Sequence, residues 1–544
     1  MDKYKEIHLE QPNTLADFLS EEEREEVVSL KITGLIGRED FEDVLDNLCE
    51  SGGYHDEDDN YIPDYDLAAP LRHLDLGEAT YVDGDCLPYF GYVAQQETII
   101  LPKGIKTTLD KTESETGFSE SEMLRKLVLP EGLKIVGGFN SCENLTDLIL
   151  PEGLEEICSH AFCGCDAITS IRIPASVKVM DGSCFAGCNI KAYEVDENNA
   201  YYTAIDGVVY SKDLKTLVAF PSDYPNKHYE VLKSTQIIGE YAFKFSHIET
   251  IELPNGLTNV EYGAFEASDI CALDIPESVN QVGEMAFDYC TKLKRFAISK
   301  GLKELPRFML GSCTELKILE IPSNIKVVHY SSFVWSRDLE QIILHDGLEE
   351  IADDGVLSTS EGKLRDVYLP KTLKKVPGGV FNYSPYIKEF KLDPDNPYFR
   401  VIDGALCSKD GKILFSVPDF NRTNFRVPEG IEEIAEMVFA FMPKLRTIEL
   451  PSTLRIIKTR AFQSCDSLKQ LEIPASLVEI DIDSLWSENL KNIVIKCTVP
   501  PKITGNIKDK DWRYEDVNLY VLHDSVQKYR EAPGWKSFRI KDIH

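Results

Sequence analysis

Residues Leu154–Pro174 read LEEICSHAFCGCDAITSIRIP, with three cysteines and a histidine inside eight residues. Such a cluster is either a metal or redox site or part of a structural pattern. The choice turns on whether the stretch recurs, because an internal repeat changes the reading of every residue in it. It does recur. Thr235–Pro254 reads TQIIGEYAFKFSHIETIELP, Asn280–Ser299 reads NQVGEMAFDYCTKLKRFAIS, and Leu454–Pro474 reads LRIIKTRAFQSCDSLKQLEIP. Each copy has Ile or Val, then Ala-Phe, then Cys or Ser three residues after the Phe, and closes on an apolar-x-apolar triplet, usually before Pro.

The last apolar residue of each triplet marks a coil. There are 17 markers from Leu101 to Ile495, and 13 of the 16 gaps between them are 21–25 residues. The exceptions are 28 residues after Leu101, 36 after Val195 and 35 after Leu392. In ITSIRIP, Ile171 and Ile173 share one face because strand side chains alternate. Pro174 lacks an amide donor and ends the strand. Ala-Phe then returns an aromatic to the interior. One coil cannot bury these groups alone, but stacked coils can, their strands about 4.8 Å apart in one parallel sheet.

The cysteines follow from the register. Cys142, Cys165, Cys188, Cys290, Cys313 and Cys465 occupy one small corner position, which Ser246, Ser268, Ser336 and Ser384 fill in other coils. The expectation is a ladder of buried thiols packing as small hydrophobes. A zinc site of Cys158, His160, Cys163 and Cys165 is the competing reading, and it requires four converging ligands. Disulfides between adjacent coils are sterically demanding. No metal, cofactor or catalytic residue is expected.

The two longest gaps match each other. VDENNAYYTAIDGVVYSKDLKTLVAFP from Val195 aligns without gaps with LDPDNPYFRVIDGALCSKDGKILFSVP from Leu392. Asp206-Gly207 and Asp403-Gly404 are hairpin-turn signals. The expectation is two β-hairpin islands, near 196–228 and 393–424, projecting from the array.

Of 544 residues, 43% are hydrophobic and 28% charged, as in folded proteins, and no apolar run is long enough for a membrane helix. The net charge is −34, of which −16 lies in residues 1–66 (21 acids, 5 bases). This repels phosphate backbones and argues against a nucleic-acid partner. The start, MDKYKEIHLEQPNTL, lacks the apolar core of a secretory signal, which implies a cytoplasmic chain or a mature or truncated form.

Residues 1–95 read as an acidic strand–helix–strand cap. Its strands are VVSLKITG and LRHLDLGEA, with Leu30/Ile32 and Leu74/Leu76 inward, and a helix is spaced by Phe41, Val44, Leu45 and Leu48. LADFLSEEEREEVV is a second helix candidate. The acidic loop YHDEDDNYIPDYD fails as a calcium loop, since Tyr61 stands where the turn Gly belongs and Leu67 where the bidentate Glu belongs. Residues 96–500 form the array of about 17 coils. Residues 501–544 form a C-terminal cap, with a short helix near Val526–Arg530 and with Trp535, Phe538 and Ile540 on the last coil.

The unit LxxIxIPxxLxxIxxxAFxxCxx resembles the BspA-like leucine-rich repeats of Bacteroidetes, other bacteria and some parasitic protists. The flanks LKITGLIGREDFEDVL and YREAPGWKSFRIKDI are similar to those of Bacteroides members. The resemblance implies a β-rich leucine-rich-repeat solenoid, a curved right-handed superhelix with a parallel sheet on the concave face and short helices and turns on the convex face. It implies a secreted or cell-surface location and non-catalytic adhesion to host matrix or plasma proteins such as fibronectin and fibrinogen.

Function then falls to the outward residues of the sheet. Ile318, Ile343 and Tyr368 form an expected apolar patch beside Glu320, with Glu252 and Asp274 on the same column. The expectation is a protein or glycan ligand. An intracellular interaction scaffold is the alternative. A carbohydrate-active enzyme is the remote one, since Glu252 and Asp274 on neighbouring coils could approach glycosidase separation. Against it, there is no H-E-x-x-H, G-x-S-x-G or phosphate loop.

Overall fold

Most coils contribute two strands, not one. In the computed structural model the described residues are 3–49, 53–55, 61–63, 71–88, 96–109, 118–329, 331–352, 362–382, 384–505 and 512–543. They form a parallel β-solenoid in two compact units, Met1–Ile270 and Cys271–His544.

The first ladder carries the expected triplets. In the first unit Thr98–Ile100, Lys126–Val128 and Asp147–Ile149 pair in parallel, as do Ile171–Ile173 with Tyr193–Val195 and His228–Glu230 with Thr250–Glu252. In the second, Ile318–Ile321, Gln341–Leu344, Asp366–Leu369 and Lys391–Leu392 run side by side. Alternation buries Ile171 and Ile173 and leaves Arg172 exposed.

The second ladder is built from strands as short as two residues, such as Ile237–Ile238 beside Asn259–Val260 and Glu433–Ile434 beside Ile456–Ile457. Its inward members, among them Val136, Ile157, Ile238, Leu305, Val328, Ile434 and Ile457, are fully buried. Between the ladders the phenylalanine rings at the Ala-Phe position stack coil on coil. Phe139 lies 5.6 Å from Phe162, Phe162 lies 5.3 Å from Phe185, and Phe439 lies 5.3 Å from Phe462, all nearly parallel. This offset stacking adds to area burial.

The side opposite the first ladder is made of turns. Among the described residues of the array, helical structure there is confined to 3-10 turns at Gly182–Phe185 and Ile482–Leu485, fewer than the expected short helices. The reason is local. The residue before Ala-Phe (Tyr241, Met285, Arg460) and the residue two after Phe (Phe245, Tyr289, Ser464) both sit at φ between 52° and 57°. Left-handed residues cannot continue a right-handed helix. Their amides bond to the next coil instead, as with Met285 N to Arg307 O at 3.1 Å and Tyr289 N to Gly311 O at 3.0 Å.

The islands differ from the expectation of projecting hairpins. Tyr202–Ile205, Val208–Ser211 and Thr216–Ala219 form an antiparallel meander, but its last strand joins the second ladder, with Thr216 opposite Ile237. The other island repeats this, with Ile413 opposite Glu433. Both are built in because Val208, Val209, Tyr210 and Leu217, like Ala405, Leu406 and Leu414, need burial. Asp206-Gly207 and Asp403-Gly404 turn with positive φ at both residues.

At the N-terminus, Tyr4–Leu9, Ser29–Ile36 and His73–Tyr81 continue the first ladder backwards from Thr98–Ile100. Leu30, Ile32, Leu74 and Leu76 face inward, and Phe41, Val44, Leu45 and Leu48 are buried from a π-helical turn, Asp40–Leu45, that runs into the helix Asp46–Cys49. The stretch read as one further helix is two short turns, Leu15–Asp17 and Glu21–Arg24, the latter capped reciprocally by Ser20 and Glu23. The acidic loop falls largely outside the described residues. At the other end, Asn518–Leu522 and Arg539–Ile543 extend the ladder beyond Asn492–Ile495. Trp535 is fully buried, and its indole N–H donates to Pro501 O at 2.8 Å.

Candidate binding face

Outward side chains of the first ladder stand in rows set by its register. In the second unit one row runs Glu320, Ile343, Tyr368, Lys391, and its neighbour runs Ile318, Gln341, Asp366. Ile318 is 55% exposed and Tyr368 45% exposed, while Ile343 is half-buried between the flanking strands. Three of the sequence-predicted residues, Glu320, Ile343 and Tyr368, thus share a row, with Ile318 beside them.

Polar groups rim this patch. The Glu320 carboxylate meets His345 Nε2 at 2.7 Å. The Tyr368 hydroxyl donates to Asp393 Oδ2 at 3.0 Å. Desolvation, and then that bond to Asp393, push the phenol above its ordinary range. Lys391 reaches Asp366 at 2.6 Å.

Glu252 and Asp274 fall in different units. Glu252 belongs to the first unit, with His228 Nε2 3.8 Å away. Asp274 belongs to the second, held by both guanidinium nitrogens of Arg295, one at 2.9 Å. Each carboxylate faces a basic side chain on the neighbouring strand of its own unit.

The Cys and His residues of the opening stretch also diverge. Cys165 is fully buried, and its thiol donates to Phe139 O at 3.1 Å, one coil back. Cys142 does the same to Phe118 O and Cys188 to Phe162 O, each at 3.1 Å. The His160 ring stands edge-on to Tyr241, with centroids 5.1 Å apart, and desolvation followed by the Lys244 charge lowers its pKa. Cys158 Sγ sits 4.0 Å from Glu156 Oε1. Among the described residues no three His, Cys, Asp or Glu side chains are grouped to hold a metal.

A family profile described as the BspA type leucine rich repeat region matches residues 89–206, 218–340, 311–400 and 414–507. The chain belongs to the BspA-type leucine-rich-repeat family. Solved structures with a similar course include a leucine-rich repeat protein from Eubacterium ventriosum, 18% identical over 82% of this chain and 86% of that one, with a TM-score of 0.39. One from Bacteroides ovatus is 19% identical over 72% and 88%, also at 0.39. A leucine rich cell surface protein from Faecalibacterium prausnitzii is 17% identical over 63% and 95%, at 0.44. No curated protein matches the chain.

The BspA-type signature in the sequence pointed to the outward column but not to its hydrogen bonds. His345 sits just past the triplet and gave no signal of its partner Glu320 until the register was fixed.

Proposed function

We propose that this BspA-type chain is a non-catalytic adhesion protein that binds a protein partner through the outward face of Ile318–Ile321, Gln341–Leu344 and Asp366–Leu369. The observation that carries it is the exposure of Ile318 and Tyr368 beside Ile343 on adjacent, paired strands. Grouped exposed apolar side chains on a soluble fold mark contact surfaces. The backbone beneath is fixed by the ladder, so binding need not order it. Full burial of a side chain of this size contributes about 1.5–3 kcal/mol. Glu320, His345 and Asp393 supply a polar rim.

The partner class we propose is a host extracellular protein such as fibronectin or fibrinogen, met at the cell surface or after secretion. Among the described residues no helix is long and apolar enough to cross a membrane. The test is biolayer interferometry against immobilised fibronectin, fibrinogen and other matrix proteins. Saturable binding that weakens about tenfold or more in Ile343→Asp/Tyr368→Asp, with the melting transition unchanged, supports the reading. Equal binding by the variant refutes it.

A further inference from the structure

Three residues before each marker, the first ladder presents a second outward side chain. In the coils of the second unit up to Leu392 this position holds Ala272, Arg295, Ile318, Gln341, Asp366 and Glu389, with no common chemistry. From Asn424 the pattern changes. Asn424, Thr447, Gln470, Asn492 and Asn518 follow in five successive coils, all uncharged and all hydrogen-bonding.

The register makes them one row. Asn424 is opposite Thr447, and Gln470, Asn492 and Asn518 are opposite one another in turn. The second ladder, with Ile456 opposite Glu479, sets the coil of Thr447 beside that of Gln470. Five strands at about 4.8 Å make a row of roughly 20 Å. Asn424, Thr447 and Gln470 are exposed, and Asn492 and Asn518 half-buried. The Asn518 amide donates to Asn492 Oδ1 at 3.0 Å, so these side chains are aligned along the row.

A cavity of about 690 Å³ opens over Thr447 and Gln470, walled by Arg446, Glu449, Glu472 and Lys496. Glu449 lies 3.5 Å from Arg426, and Glu472 3.4 Å from Lys496. Two of the cavity's three carboxylates thus face cations, and the third, Glu429, accepts from the Ser452 hydroxyl at 3.3 Å. In a chain of net charge −34 a phosphate or sulfate is repelled. Amides and hydroxyls offer donor and acceptor together, as sugar hydroxyls do, and carboxylates accept from hydroxyl pairs. Tyr520, opposite Val494 on the next strand, lies on the same face with Lys541 Nζ over its ring at 5.6 Å.

We propose that the row Asn424–Thr447–Gln470–Asn492–Asn518 is a binding site for a neutral oligosaccharide, laid across the strands. It lies on other strands than the Ile343–Tyr368 patch and stands or falls independently of it.

The experiment applies the full chain to an array of neutral glucan, mannan, xylan and galactan oligosaccharides, with sulfated and sialylated glycans alongside. Affinity for any hit is then measured in solution. The expected result is saturable binding to a neutral class, little changed by salt and reduced about tenfold or more in Gln470→Ala/Asn492→Ala. The Ile343→Asp/Tyr368→Asp variant should bind that glycan as the parent does. Gln470→Leu alone, which keeps the side-chain bulk, should show a smaller loss. Binding of only charged glycans, binding of no neutral glycan, or unchanged affinity in both amide variants would each overturn the proposal. So would a protein partner whose footprint covers this row.

Discussion

The Cys165 thiol donates to the carbonyl oxygen of Phe139 across one coil boundary, at 3.1 Å. The same bond recurs from Cys313 to Phe287 at 3.3 Å and from Cys465 to Phe439 at 3.0 Å, and Ser336 makes it with its hydroxyl to Leu310 at 2.9 Å. In these coils the corner holds a small side chain that donates, whereas the Ser246 hydroxyl at the same position is buried without a hydrogen-bond partner, so small size is what Cys and Ser share there. Leaving a buried carbonyl without a donor costs about 1–3 kcal/mol. Cys165→Ser should keep the unfolding midpoint near that of the parent, whereas Cys165→Ala should lower stability by roughly that amount. Chemical denaturation of the three proteins checks it.

Those thiols should also be slow to react. Burial pushes the Cys313 and Cys465 thiols above the ordinary thiol range, the bond with Cys165 and then burial do the same for Cys142, and the thiolate is the reactive form. Pulsed alkylation of the native protein followed by mass spectrometry should label half-buried Cys86, Cys158, Cys163 and Cys271 ahead of Cys142, Cys188, Cys313 and Cys465. Equal labelling of the two sets would mean that the corner opens readily.

Each island hangs on one asparagine. Asn396 is fully buried; its amide donates to Pro370 O at 2.9 Å and Leu373 O at 3.0 Å, and its oxygen accepts from Tyr398 N and Phe399 N at 2.8 Å. Asn199 repeats this with Pro174, Val177, Tyr201 and Tyr202. Asn396→Asp removes the donor and sets a carboxylate against two carbonyls. The expected loss is about 3 kcal/mol or more, with early proteolysis within 393–424. Limited proteolysis with peptide mapping reads it directly.

Between coils, Glu155 is clasped by Lys178 at 2.6 Å and Lys134 at 3.1 Å, and Glu349 by Lys374 at 2.7 Å and Lys326 at 3.5 Å. The lysine hydrogen bonds lower both carboxyl pKa values. A depressed folded-state pKa gives stability that is present above the unfolded value and is lost as pH falls through the folded one. The melting temperature should therefore drop on acidification below about pH 4.5. Glu155→Gln should shallow that drop, and salt should mimic it in part, since the pairs are exposed. A pH series of thermal melts, with and without salt, tests this.

The coil count was legible because the apolar triplet returns at a nearly fixed spacing, and each marker from Leu101 to Ile495 falls at the end of a ladder strand or just past it. The second ladder was not. Two residues such as Glu350–Ile351 are too short to show alternation. Nor could the corners be read, because Met285, Tyr289 and Arg460 carry no glycine signal for their positive φ. Tyr4–Leu9 escaped notice since only Ile7 and Leu9 face inward. On the proposed face, exposed Ile318 and Tyr368 stood out as apolar residues on a polar column, whereas Asn492 and Gln470 looked like any solvated strand residue until the register joined them.

Hydrogen–deuterium exchange of the chain with and without its captured protein partner tests the central claim most directly. The account predicts protection concentrated in Ile318–Ile321, Gln341–Leu344 and Asp366–Leu369. Protection confined to the turn side, at Tyr289, Ser312 and Trp335, would contradict it.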